Sequence, residues 1–191
     1  INRQEAFSVF PQTVEEERRE VNKLEKEMDQ LSAKAEKGEI EESEFKKERD
    51  LLRAKHLQAR IEVDLAILDT MIQARGFADI HDKLNGLKKK ANPMRDKINE
   101  LIKDIKNYSV SPQQVSETLD KIGNQQFKQL DNILHNLAQL KITQITQDIA
   151  KENNYGLVLE REGNIIYRQK GLIHDLTPEV KKRLRKELNP E

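Results

Sequence analysis

The sequence predicts a mainly α protein: a long antiparallel helical hairpin forming an arm, joined to a small α+β oligomerisation body that contains a β-hairpin. Three observations predict it. Apolar residues recur at 3,4 spacing through most of the chain, with Glu, Lys and Arg between them. Apolar residues make up only 36% and charged residues another 36%, which suits long helices with a narrow apolar seam better than one compact core. After Tyr155 the period changes from helix-like to strand-like.

Taken in order, residues 1–12 form an N-terminal part of the body. Phe7 and Phe10, just ahead of Pro11, are expected to pack under it. The arm occupies 13–152. Val14, Val21, Leu24, Met28, Leu31 and Ala35 define its first seam, which weakens at Lys37-Gly38-Glu39. The seam resumes through Phe45, Leu52, Leu57, Ile61, Leu65, Leu68 and Ile72 and stops at Arg75-Gly76, a basic residue followed by a C-capping glycine. Asp79 is placed to cap the next helix, where Leu84, Leu87, Ala91, Met94, Ile98, Leu101 and Ile105 repeat without a miss. Pro93 lies inside that helix and predicts a bend or a short break.

A second punctuation falls at 108–112, and a further helix follows to about Glu152, with Gly123 as a weak point. The limbs on either side of a turn near 76–78 are similar in length, so they are expected to pair as one hairpin reaching ~90 Å at 1.5 Å per residue. The breaks near 38 and 108–112 lie at comparable distances from that turn and predict a joint in the arm. Residues 153–191 complete the body. Gly156–Glu160, a turn at Gly163-Asn164, and Ile165–Arg168 read as the hairpin, and Thr177-Pro178-Glu179 starts a short basic helix. A lone two-stranded hairpin is marginal in water, so the strands are expected to find partners in other copies.

Formal net charge is zero, from 34 basic and 34 acidic residues, and gives no reason to expect a nucleic-acid partner. The absence of cysteine excludes disulfides and thiolate chemistry. No run approaches the roughly 20 apolar residues that span a bilayer. The chain starts at Ile1 and not at methionine, and the expectation is of a processed product whose export signal has been removed.

No phosphate loop, dinucleotide fingerprint or nucleophile elbow occurs, and the four histidines, His56, His81, His135 and His174, are scattered. No enzyme, cofactor or metal is therefore expected, and no catalytic residue is nominated. The acidic runs at Glu15–Glu17 and Glu41–Glu44 read as solvated helix faces. Lys88, Lys89 and Lys90, with Arg95 and Lys97, form the most basic segment; a solvated flank and a contact for an anionic ligand or lipid headgroup are both open. Phe77 and Ile80 beside the turn either contact a client or close the helical corner. Leu157, Leu159, Ile165 and Tyr167 are the candidate oligomerisation residues.

The run Ile149-Ala150-Lys151-Glu152-Asn153-Asn154-Tyr155-Gly156-Leu157-Val158-Leu159-Glu160, then Gly163–Tyr167, then His174-Asp175-Leu176-Thr177-Pro178-Glu179-Val180, resembles the C-terminal body of the Skp/OmpH family of periplasmic chaperones. Ile1–Gln4, Phe7 and Pro11-Gln12 resemble that family's entry into its first arm helix. The resemblance implies a homotrimer whose β-barrel-like body holds three helical tentacles, and a periplasmic, ATP-independent holdase for unfolded outer-membrane proteins. Contacts with a membrane surface or lipopolysaccharide come under the same heading. This chain departs from the family in a longer, more interrupted arm and in its neutral charge. A structural coiled-coil adaptor that binds a folded partner is the competing reading.

Overall fold

The computed structural model describes residues 1–160 and 174–189. Every regular element among them is helical. In chain order these are α1 (Arg3–Phe7), α2 (Val9–Gln12), α3 (Glu15–Glu36), α4 (Glu42–Gln73), a 3₁₀ turn (Arg75–Ile80), α5 (His81–Lys106), α6 (Pro112–Leu119), a π-helical stretch (Asp120–Phe127), α7 (Lys128–Glu152) and α8 (Thr177–Leu188).

The mainly α class is found, but the single long hairpin is not. The limb running from Thr13 to the turn at 76 doubles back on itself, because α3 packs antiparallel on α4 with His56 beside Glu25 at 3.4 Å. Helix α5 packs antiparallel on α4 in turn, with Gln58 donating to Asn99 at 2.7 Å and Lys88 paired with Asp69. The continuous run α6–π–α7 then lies parallel to α4, its Gly123 beside Leu57 and Phe127 beside Arg60. The result is a bundle of four antiparallel-connected helical rods. Its central 32-residue helix, α4, is about 48 Å long.

The physical reason lies at the helix ends. Gly38 has φ +69°, its N–H bonds back to the Ala35 carbonyl, and the Glu39 N–H reaches the Lys34 carbonyl at 2.9 Å. That is a Schellman reversal, and it turns the chain around instead of making a joint in a straight rod. Tyr108, at φ +56°, does the same after α5, with the Ser109 N–H on the Asp104 carbonyl at 3.0 Å. The two breaks do face each other, as neighbouring turns at one end of the bundle. The Lys47 ammonium sits 3.2 Å from the centre of the Tyr108 ring across them.

Helix α6 restarts the chain with a capping box, Ser111 Oγ accepting from the Gln114 N–H while the Gln114 side chain accepts from the Ser111 N–H. Helix α5 continues through Pro93 without a break. All seven residues of its expected seam are buried. Asp79 does not cap it: the residue preceding α5 is Ile80, and Asp79 belongs to the 3₁₀ turn. The expected weak point at Gly123 lies within the π-helical stretch. Helix α3 fully buries only Leu24 and Leu31, and α4 is buried on several sides, with Ala59 and Ile67 enclosed as well as Ile61, Leu65 and Leu68.

Gly76 and Gly38 exchange the roles that their identical basic-glycine context suggests. Gly38 has open space around it and is there for its positive φ. A Cβ on Gly76 would stand 2.6 Å from Glu187 Cβ and 3.0 Å from the Glu187 carbonyl oxygen. Gly76 is therefore the point at which α8 approaches the turn between α4 and α5.

The expected β-hairpin is not supported. Gly156–Glu160 forms no ladder within the described residues, and the second limb, Ile165–Arg168, lies outside them.

Candidate functional surface

The end of the bundle opposite the Gly38 and Tyr108 turns is assembled from both ends of the chain. Helices α1 and α2 pack against α7, α8 and the 3₁₀ turn through Ala6, Val9 and Phe10, which meet Phe77, Val180, Leu184 and Leu188 in one buried cluster. Phe7 touches Phe10 at 5.7 Å and the His135 ring at 4.4 Å between centroids. Phe10 is thus buried and Phe7 partly buried where the first helices meet α7 and α8.

Polar contacts fix the register of this end. The Asn2 N–H donates to Thr177 Oγ1 at 2.8 Å and the Ile1 nitrogen to the Leu159 carbonyl at 2.9 Å. Arg3 pairs with Glu160 and Arg183 with Glu152, each at 2.8 Å, and Lys181 pairs with Glu5 at 3.2 Å. Thr177 Oγ1 accepts from the Asn2 N–H and Thr177 is the first residue of α8, so it does not act as the expected N-cap; the Asp175 carboxylate accepts the Thr177 N–H.

Leu157 and Leu159 stand out from this end, 74% and 55% exposed, while Val158 between them turns inward. Tyr155 lies beside them, 5.9 Å from the His174 ring. Ile165 and Tyr167 fall outside the described residues.

The candidate contacts beside the turn divide. Phe77 is completely buried, edge-on to Phe10 at 6.1 Å, with the Lys141 ammonium 5.4 Å from its ring centre. It closes the helical corner and is not available to a client. The turn is no free tip, because α8 folds over it. Ile80 is half-buried against the same core. Lys88 is taken up by Asp69, whereas Lys89 and Lys90 are exposed.

One buried group has no counterpart among the residues nominated from sequence. Asp64 on α4 is 6% exposed, and its Oδ2 has no hydrogen-bond partner among the described residues. Burial pushes its carboxyl up to about 7, Asp131 on α7 adds to this, and the Arg60 guanidinium opposes it. Arg60 lies over the Phe127 ring at 4.8 Å. The signal is present in the pattern, since Asp64 falls between Ile61 and Leu68 on the buried face of α4. Lys141, also buried, is matched by Glu187 at 2.7 Å and ties α7 to α8.

Among the described residues, no three His, Asp or Glu side chains converge as a metal site would require. No helix among them is long and apolar enough to cross a membrane. What the fold and this surface define is a mainly helical bundle with a composite end that presents apolar side chains outward. Comparison of the chain with family models, curated proteins and solved structures finds no match.

Proposed function

We propose that this chain is an ATP-independent holdase that encloses unfolded outer-membrane proteins in the periplasm and keeps them from aggregating. It assembles as a homotrimer through the end that carries Leu157 and Leu159. The observation that carries this reading is spatial. Of the segments with Skp/OmpH-like sequence, those among the described residues lie at opposite ends of the chain, Ile1–Gln4 with Phe7 and Pro11-Gln12 at one and Ile149–Glu160 and His174–Val180 at the other, yet join through Asn2–Thr177, Ile1–Leu159 and Arg3–Glu160. Independent sequence likenesses that converge on one place support a common body.

In this reading Gly156–Glu160 is a strand awaiting its partners, with Leu157 and Leu159 as its outward apolar residues. Unsatisfied strand edges and exposed leucines both favour pairing between copies. The bundles then stand around a shared space. Clients are retained there by many weak contacts, whose summed strength comes from multivalency and needs no nucleotide.

The competing adaptor reading draws on a different observation: the arm is folded back and Phe77 is enclosed, leaving no apolar tip at the turn. Light scattering during dilution of an unfolded outer-membrane protein separates the two readings. The holdase suppresses the signal at molar excess, and Leu157→Lys with Leu159→Lys abolishes both suppression and the three-chain mass. Undiminished aggregation beside the intact protein would rule out the holdase and leave the adaptor.

A further inference from the structure

The outward face of α7 breaks the pattern of the rest of the surface. From Gln129 to Gln147, about five helical turns, its exposed stripe is Gln129, Ile133, Asn136, Leu140, Gln144 and Gln147, with half-buried Leu137 among them. None carries a formal charge, in a chain where more than a third of residues do. The two charged side chains of this stretch lie off the stripe: Asp131 is half-buried on the side of Asp64, and Lys141 is buried against Glu187. His135 stacks on Phe7. Ile133 and Leu140 are 43% and 66% exposed.

From Gln129 to Gln144 the stripe is also close to palindromic. Read inward from both sides, Gln129 matches Gln144, Ile133 matches Leu140, and Asn136 and Leu137 meet in the middle. We propose that this face is a two-fold interface with a second copy of the chain, the two α7 helices antiparallel and centred between Asn136 and Leu137. Each Ile133 then lies against Leu140 of the second copy, and each Gln129 against its Gln144.

A second copy is the occupant because an isologous contact requires a surface complementary to itself. A charged face meets its own like charges under a two-fold axis; this neutral stripe does not. The 3,4 spacing of Ile133, Leu137 and Leu140 suits knobs-into-holes packing, and glutamine amides both donate and accept, so facing glutamines satisfy one another. The contact is separate from Leu157 and Leu159 and forms without them. Three chains result from the body contact alone, two from the α7 contact alone, and six from both.

The absence of cysteine makes the test direct. Ile133→Cys, Leu137→Cys and Leu140→Cys are oxidised singly and in pairwise mixtures, with circular dichroism to check that each retains its helix content. Leu137→Cys is expected to cross-link to itself, and Ile133→Cys to cross-link to Leu140→Cys several-fold better than either does to itself. Self-cross-linking of Ile133→Cys or Leu140→Cys as efficient as their cross-linking to each other, or no cross-link in any combination, overturns the proposal. The pattern is expected to persist with Leu157→Lys and Leu159→Lys in place. Its loss there would overturn α7 as a self-standing interface, while failure of the body contact alone leaves the pattern intact.

Discussion

Replacing Asp64 by asparagine should stabilise the protein, by an amount that grows as pH rises above about 4 and levels off above about 7. The Asp64 carboxyl is raised from 3.8 to about 7 in the folded chain. A raised acid binds its proton more tightly folded than unfolded, so its contribution is most favourable below pH 4. It is lost progressively as pH rises to about 7 and is constant above that. About three pH units at 1.36 kcal/mol each amount to roughly 4 kcal/mol, the cost to the folded state of ionising a buried oxygen that has no partner. The asparagine side chain has the same shape and no charge to desolvate.

Urea unfolding followed by helical circular dichroism, at fixed protein concentration and at half-unit steps from pH 4 to 8.5, gives both curves. Their difference isolates Asp64 from the other carboxylates. The variant is expected to match the parent near pH 4 and to exceed it by about 2–4 kcal/mol at pH 8, the lower figure allowing for relaxation around the charge. Asp131→Asn should recover a smaller part of the same gain, because Asp131 is a secondary cause of the shift. Parallel curves for parent and Asp64→Asn, or a variant less stable at pH 8, would mean that no desolvated carboxylate opposes folding at this position.

Two glycine substitutions separate conformational strain from steric contact. Gly38→Ala meets no neighbouring atom and should cost only the left-handed conformation, about 1–2 kcal/mol in urea unfolding, with the α3–α4 turn retained. Gly76→Ala places a methyl group against Glu187 backbone and side chain, so α8 must shift; a loss of about 1–3 kcal/mol is expected, with faster amide exchange in α8 than in α5.

Much of the secondary structure is legible in the sequence because seam periodicity is a local property. The α5 seam and the long helix ending at Glu152 need only residue spacing. Tertiary direction is less legible. Lys37-Gly38 and Arg75-Gly76 look alike in sequence, yet only the first is a left-handed cap, because the second is decided by the approach of α8 from more than 100 residues away. Tyr108 takes a left-handed conformation that a tyrosine does not advertise, so the reversal after α5 carries no glycine signal. The grouping of residues 1–12 with 153–191 is an expectation of the sequence; the particular pairs that join the two ends, Asn2 with Thr177 and Arg3 with Glu160, are not legible there. Phe77 has two readings in the sequence because burial by α8 cannot be read from the turn itself. Asp64 is legible only when its angular position is counted, because a single acid inside an apolar run otherwise looks like the polar side of a helix.

The composite end also constrains the order in which the molecule can form. Helices α3, α4 and α5 pair with sequence neighbours through short turns and can zip together as each leaves the ribosome. Asn2 and Glu5, near the start of the chain, must wait for Thr177 and Lys181, 175 and 176 positions later. Closing so long a loop is the entropically demanding step, and it comes last. Until α8 arrives, Phe10 and Phe77 lack part of the cluster that encloses them, so the nascent chain has apolar surface of its own to shield before its end is sealed.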